Sequence, residues 1–290
     1  MPELPEVETI RRGLAAQLDG GRVLAVRLQR RDLRFPLPRD FAARLTGRRM
    51  LAWRRRAKYL MLHLAGAGKS GGEDILFIHL GMSGRMLLHA RTLPPLGAHD
   101  HVVWDLAVRR RRLWLVFRDP RRFGYMGLMA AADATTHPRF RALGAEPLAR
   151  ALTPDQLAAR LAGARTSLKA FLLNQRHIVG LGNIYACEAL YAARLHPAHD
   201  AARARPHAAS LQRAIRGTLT RALAAGGSSL GQGQSNFVAA SGEMGYFQLR
   251  FHVYDRAGRA CRRRGCGGTI ERFVQNGRSS FACPHCQRVR

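Results

Sequence analysis

Lysine is nearly missing from this chain. Of 48 basic residues only Lys58, Lys69 and Lys169 are lysines, and the rest are arginines. Acidic residues are scarce as well, 19 in 290 residues, which leaves a formal charge of +29. Codon bias accounts for arginine over lysine, but it does not by itself make the sum so positive. The surplus points to a polyanionic partner, nucleic acid ahead of a membrane surface. No apolar run reaches the roughly 18 residues of a spanning helix. The amino terminus, MPELPEVETIRRGL, lacks the basic start and apolar run of a signal peptide, so a cytoplasmic protein is expected. Cysteine is absent from most of the chain: Cys187 stands alone and the other four lie near the carboxyl end. What is plentiful is apolar residues, at 47%, which excludes a wholly disordered chain and allows a sizeable core.

The length suggests two domains at about 150 residues each, and the patterns divide the chain further. Residues 5 to 18 read as a helix, with Val7, Ile10, Leu14 and Leu18 at helical spacing, Pro5 in the first turn and Gly20-Gly21 as a stop. Short apolar or alternating runs follow at Arg22–Leu28, Tyr59–Leu64, Asp74–Leu80, His101–Leu106 and Arg111–Phe117, as in a β-sandwich or barrel. Lys69 to Gly72 read as a turn. Residues 131–152 are expected to be a hinge after a β domain over 1–130. Thr153-Pro154-Asp155-Gln156 is a capping box, and helical patterns continue to about Ala225. Residues 226–245, rich in Gly, Ser and Gln, read as a loop closing a helical domain over 153–245, and 246–290 form a cysteine module.

Cys261-x4-Cys266 and Cys283-x2-Cys286 make two close thiolate pairs, a pattern suited to tetrahedral Zn²⁺. Four cysteines close the coordination shell, so one structural zinc is expected rather than a catalytic one. Gly265, Gly267 and Gly268 allow a tight knuckle. His285 reads as a solvated loop residue and Cys187 as core packing. Arg262, Arg263, Arg264 and Arg278 make the module basic and suit it to nucleic acid.

The chain resembles the bacterial formamidopyrimidine-DNA glycosylase family. The matching motifs are Pro2-Glu3-Leu4-Pro5-Glu6, Arg56-Ala57-Lys58-Tyr59, His79-Leu80-Gly81-Met82-Ser83-Gly84, Asp119-Pro120-Arg121-Arg122-Phe123-Gly124, Gly182-Asn183-Ile184-Tyr185 and the terminal cysteines, in the family's order. The resemblance implies a multidomain α+β fold: an N-terminal helix plus β-sandwich, a helix–two-turn–helix domain and a C-terminal zinc finger. It implies a bifunctional glycosylase and abasic-site lyase of base excision repair, acting as a monomer in the cytoplasm, at the nucleoid, on double-stranded DNA with oxidised purines or abasic sites. Pro2, exposed by removal of Met1, would be the nucleophile, Glu3 the acid/base catalyst and Lys58 a group near the lesion phosphate. Glu6 would support the site or serve the helix dipole. Met82, Arg121 and Phe123 would fill the gap left by the flipped base, with Arg121 and Phe123 pointing one way if their segment is extended. His79, Asn183 and Arg278 would hold backbone phosphates; a helix cap is also open for Asn183. Lys169 falls in a family-like segment, with a solvated helix face as the other reading. The cysteine pair spaced by four residues, where the family uses two, departs from the pattern, and so does the middle of the 226–245 loop. Two alternatives remain at this stage. One is the endonuclease VIII branch, which prefers oxidised pyrimidines; Leu4 and the Met82/Arg121/Phe123 trio favour the purine branch. The other is a non-catalytic DNA-binding zinc protein, which would have no use for a free proline terminus.

Overall fold

The computed structural model describes residues 1–66, 71–150, 152–228, 237–238 and 246–288. The turn expected at Lys69 and most of the loop expected over 226–245 lie outside the described residues. The chain divides into two compact units, one built on Met1–Arg141 and the other on Ala142–Ser228 with Tyr246–Arg290. Among the described residues no helix is long and apolar enough to cross a membrane.

The first unit opens with α1 (Leu4–Leu18), one residue earlier than the sequence pattern indicates. Glu6 accounts for the early start: its Oε2 accepts the Glu3 N–H at 2.9 Å, satisfying an amide that the helix leaves open. Leu4, Val7, Ile10, Leu14 and Leu18 form its buried stripe. Two sheets follow. One runs β1 (Arg22–Leu28), β6 (Asp100–Val108), β7 (Arg111–Arg118), β5 (Arg85–His89) and β9 (Phe237–Val238) in spatial order. The other runs β2 (Met50–Arg56), β3 (Tyr59–Leu64), β4 (Asp74–His79) and β8 (Tyr125–Ala130). All these pairings are antiparallel except β5 with β9. Alternate residues face the space between the sheets: Val102, Trp104 and Leu106, Leu113, Leu115 and Phe117, and Leu60, Leu62 and Leu64. α1 and α2 (Phe41–Leu45) add Val7, Ile10, Leu14, Phe41 and Leu45 to the same core. Each such side chain contributes about 1.5–3 kcal/mol by leaving water.

The sequence pattern omits β2, β5 and β8. In β2 Met50 and Trp53 point inward, but Arg54, Arg55 and Arg56 mask the alternation. In β8 the period is interrupted by Gly127, where a Cβ would come within 2.3 Å of the Phe77 ring, so only glycine fits. After β8 the chain stays on this unit. The Phe140 ring lies 4.9 Å from Tyr59 and 5.4 Å from Phe77, which secures the segment up to Arg141.

The second unit contains α3 (Pro154–Ala162), α4 (Leu168–Leu173), α5 (Asn183–Ala193), α6 (Ala208–Ala224) and a hairpin of β10 (Glu271–Gln275) and β11 (Arg278–Ala282). Thr153 caps α3, its Oγ1 accepting the Gln156 N–H at 3.2 Å, as the capping box indicates. Between α4 and α5 the chain makes two turns around Gln175. Its Oε1 accepts the Gly180 N–H, and its Nε2 donates to Leu173 O and Leu181 O. Residues Ile184 to Tyr191 of α5 are all buried, so this is the central helix of the unit. The hairpin turns at Asn276-Gly277, both at positive φ, the dipeptide suited to a type I′ turn.

Candidate active site and metal centre

The start of the chain gathers several charged groups. Pro2 is buried, Glu3 is 3% exposed and Lys58 6%. Lys58 follows Ala57, whose φ of 53° closes the two-residue turn between β2 and β3. Burial lowers the pKa of the amino-terminal amine; Glu3 and Glu6 oppose this, and Lys58 and Arg121 reinforce it. The amine therefore shares one neighbourhood with Glu3, Glu6, Lys58 and Arg121. Glu6 has a plain structural duty there, since it caps the Glu3 amide.

His79 ends β4. Its ring stacks on Tyr125 at 4.9 Å, and its Nδ1 accepts the Gly81 N–H at 3.1 Å. Burial, aided by Lys58, Arg34 and Arg139, pushes the imidazole down to about 4. His79 is thus neutral near pH 7 and carries its proton on Nε2, a donor suited to an anionic oxygen.

Met82 and Phe123 stand out as 45% and 38% exposed apolar side chains on neighbouring turns. Arg121 and Phe123 do come together, but not through an extended segment. Arg122 is left-handed at φ 55°, and this turn lays the Arg121 guanidinium over the Phe123 ring at 4.8 Å. Asp119, fully buried, ties the two turns together. Its Oδ2 accepts the Gly124 N–H at 2.7 Å and its Oδ1 accepts the Ser83 hydroxyl. Ser83 Oγ in turn accepts the Arg121 N–H at 3.1 Å. Gly81, at φ 62°, allows the close approach: a Cβ there would fall 2.3 Å from the Phe123 carbonyl carbon.

In the second unit Asn183 is the first residue of α5, and Gly182 is its N-cap, so the cap reading of Asn183 does not hold. The Asn183 Nδ2 instead donates to Ser279 O at 2.9 Å, beside the exposed Arg278. Lys169 is not on a solvated face. It is 1% exposed, and its Nζ donates to Ser279 O at 2.8 Å and Ser280 Oγ at 2.7 Å.

The four Sγ atoms of Cys261, Cys266, Cys283 and Cys286 lie within 4.8 Å of one another. The Cys266–Cys283 and Cys261–Cys286 separations are 3.5 and 4.0 Å. Tetrahedral zinc with Zn–S of about 2.3 Å sets sulfurs roughly 3.8 Å apart, so the donor set fits the metal. Gly268 is required beneath it, because a Cβ would lie 2.8 Å from Cys283 Sγ. Tyr191 supports the set through its hydroxyl, 3.3 Å from Cys261 Sγ. Burial raises the Cys261 pKa, but that hydroxyl and the Arg263 N–H outweigh it and bring the thiol down to about 7. His285 is exposed, as the sequence indicates, and Cys187 is buried against the module.

Family models match almost the whole chain: the Formamidopyrimidine-DNA glycosylase N-terminal domain over 1–126, its H2TH domain over 143–233, and the zinc finger found in FPG and IleRS over 258–289. The chain belongs to the formamidopyrimidine-DNA glycosylase family. The formamidopyrimidine-DNA glycosylase of Sinorhizobium fredii is 48% identical, over 99% of this chain and 100% of the relative. Two Lactococcus lactis FPG structures superpose over 99% of this chain. One is a complex of a variant with Fapy-dG-containing DNA (TM-score 0.86, 28% identity, 100% of that chain). The other is a complex with abasic-site DNA (0.85, 28%, 99%). This family member has the expected α+β fold, and its four thiolates hold one structural zinc.

Several residues that build the site of this glycosylase-family chain went unnoticed in the sequence. Asp119 and Ser83 sit in the Asp119–Gly124 and His79–Gly84 motifs, yet their joint is visible only in three dimensions. Glu188, on α5 and 2% exposed, accepts the backbone N–H groups of His252, Val253 and Tyr254 at 2.9–3.0 Å and so anchors the approach to the zinc module. The Asn276-Gly277 turn that presents Arg278 was the one such feature with a readable signal.

Proposed function

We propose that this protein is a DNA glycosylase and abasic-site lyase that removes oxidised purines, 8-oxoguanine and formamidopyrimidines, from duplex DNA. The observation that carries the reading is the amino-terminal neighbourhood: a buried Pro2 and Glu3 at the start of α1, with Lys58 close by. Removal of Met1 exposes a secondary amine at Pro2. An α-amino group, with pKa of about 7.7–8.0 against about 10.4 for lysine, offers a few hundred times more free amine at neutral pH. The burial and the Lys58 and Arg121 charges that lower the Met1 amine act in the same direction on its successor. Attack of the Pro2 nitrogen on deoxyribose C1′ breaks the bond to the base, which departs with a proton; cleavage of the C1′–O4′ bond, with O4′ taking a proton, then leaves an iminium ion. A secondary amine cannot lose a further proton to become a neutral imine. The cation therefore persists as an electron sink for β and then δ elimination of the two phosphates. Glu3 supplies the proton transfers of ring opening. His79 Nε2–H, Asn183 and Arg278 engage phosphates, while Met82, Arg121 and Phe123 fill the vacated stack.

Residues 1–130 are assigned to catalysis, 153–245 to the helix–two-turn–helix element with its lesion-covering loop, and 246–290 to the zinc finger. We place the enzyme in the cytoplasm as a monomer on DNA. The deciding experiment is borohydride trapping on a duplex with 8-oxoguanine opposite cytosine. A covalent adduct through Pro2, absent when Met1 is retained, is expected. An adduct formed only on oxidised pyrimidines would move the chain to that specificity, and absence of any adduct would leave a DNA-binding zinc protein.

A further inference from the structure

We propose that Arg139 is an additional phosphate-binding residue for the DNA strand, held ready in a corner formed by Phe35 and Tyr125. This rests on the DNA reading above and adds to it a contact outside the motifs that carry the family resemblance. The Arg139 guanidinium carbon lies 4.5 Å from the Phe35 ring centroid and 4.6 Å from that of Tyr125. The two rings meet edge to face at 5.2 Å and 81°, so they form a fixed corner around the side chain. Cation–π contact with the two rings gives the guanidinium N–H donors no oxygen acceptor. Among the described residues no acceptor engages those side-chain donors; the one hydrogen bond Arg139 makes is from its backbone N–H to His137 Nδ1.

The position is also charged in one sense. Arg139, Lys58 and Arg34 all depress the His79 imidazole. Arg139 also counters the burial that raises the Tyr59 hydroxyl, whose oxygen is 2.6 Å from that of Tyr125. Arg139 and Arg34 thus add positive charge beside the neutral His79 ring, whose Nε2–H is itself a donor. A phosphodiester oxygen matches the planar, multi-donor edge of arginine. Phe35 is a large exposed apolar residue whose ring lies closer to the Arg139 guanidinium, at 4.5 Å, than to that of Arg34, at 5.8 Å.

The test is a salt titration of DNA binding by the full-length, zinc-loaded protein, followed by fluorescence anisotropy. The probes are a duplex with a stable abasic analogue and its undamaged counterpart. Loss of one phosphate contact should reduce the slope of log K against log salt by about 0.9 in Arg139→Ala. The loss should be equal on both duplexes, with melting temperature and the borohydride adduct yield at saturation retained. Arg139→Lys should restore the slope. Phe35→Leu should weaken binding at fixed salt while leaving the charge count, and hence the slope, nearer to wild type. An unchanged slope in Arg139→Ala, or a reduced one accompanied by a lower melting temperature and no rescue by lysine, overturns the proposal. Failure of wild type itself to bind either duplex would instead overturn the DNA reading.

Discussion

Replacing Asp119 tests whether the exposed trio is held in place by one buried carboxylate. In Asp119→Ala the Gly124 N–H loses its acceptor inside a buried turn, and the Ser83 hydroxyl loses the partner that orients it. An unsatisfied buried donor costs about 1–3 kcal/mol, and a hydrogen bond to a charged group contributes about 1.5–3 kcal/mol. Removing the buried charge offsets part of this, so a net loss of about 2–4 kcal/mol is expected. The functional loss is a separate quantity. Ser83 positions the Arg121 backbone, and Arg121 in turn lies on Phe123. A donor-only guanidinium in the stack favours cytosine, which offers O2 and N3, over adenine, by about 1–3 kcal/mol. Loosening the joint should narrow that ratio about tenfold in single-turnover excision of 8-oxoguanine opposite C and opposite A. Ser83→Ala separates the two effects: it should cost only about 1 kcal/mol of stability while narrowing the ratio similarly. If both variants keep the wild-type ratio while losing stability, the trio is not organised through Asp119.

Two further outcomes follow from the geometry. His79 titrates near 4 when folded against about 6.5 unfolded, so the unfolded state binds the extra proton between those values. Stability should be full above pH 6.5 and fall as pH drops toward 4, by at most about 1.4 kcal/mol per pH unit for this residue; denaturant titrations of His79→Asn should show a shallower acid slope, and an unchanged slope would exclude His79 as the source. Tyr191→Phe removes the hydroxyl beside Cys261 and should weaken zinc about tenfold or more in chelator competition, with wild-type affinity as the contrary result.

The parts of this molecule legible in its sequence are those set by local pattern. Short apolar or alternating runs located β1, β3, β4, β6 and β7, because these strands bury one face or both. They missed β2, where three consecutive arginines hide the apolar pattern, and β8, whose alternation is broken by the glycine that admits Phe77. The thiolate pairs were legible since metal ligation is written in spacing, and the extra residues between Cys261 and Cys266 did not spoil the donor set. The roles proposed for Glu3, Lys58, Met82, Arg121 and Phe123 rest on motif resemblance, not on pattern. Buried charges were not legible. Glu188 and Lys169 lie on helices where a charge ordinarily means solvent, and their partners are backbone groups far along the chain.

Lys169 nevertheless left a trace in the composition. In a chain that uses arginine almost everywhere, two of its three lysines are buried, Lys58 and Lys169. Where a cation only needs to face water, arginine serves as well, and bias can replace lysine freely. Where an ammonium fills a closed site, it cannot. The Lys169 Nζ donates to Ser279 O and Ser280 Oγ, and the Ser280 hydroxyl then donates to Gln275 Oε1 at 2.7 Å. Ser279 O also receives the Asn183 amide, so one compact ammonium helps to set the strand that carries Arg278 against the start of α5. A planar guanidinium is larger and cannot converge on both acceptors from a fully enclosed position. Lys169→Arg should therefore cost about 1–3 kcal/mol through overpacking despite keeping the charge. Lys169→Met, similar in length, should cost about 2–4 kcal/mol by stranding the two acceptors. Both should reduce DNA affinity by displacing Arg278 and Asn183, the methionine variant also losing one positive charge. The arginine variant makes the point, since it would bind DNA less tightly at an unchanged net charge. Wild-type stability and affinity in Lys169→Arg would show that the lysine survives there by chance.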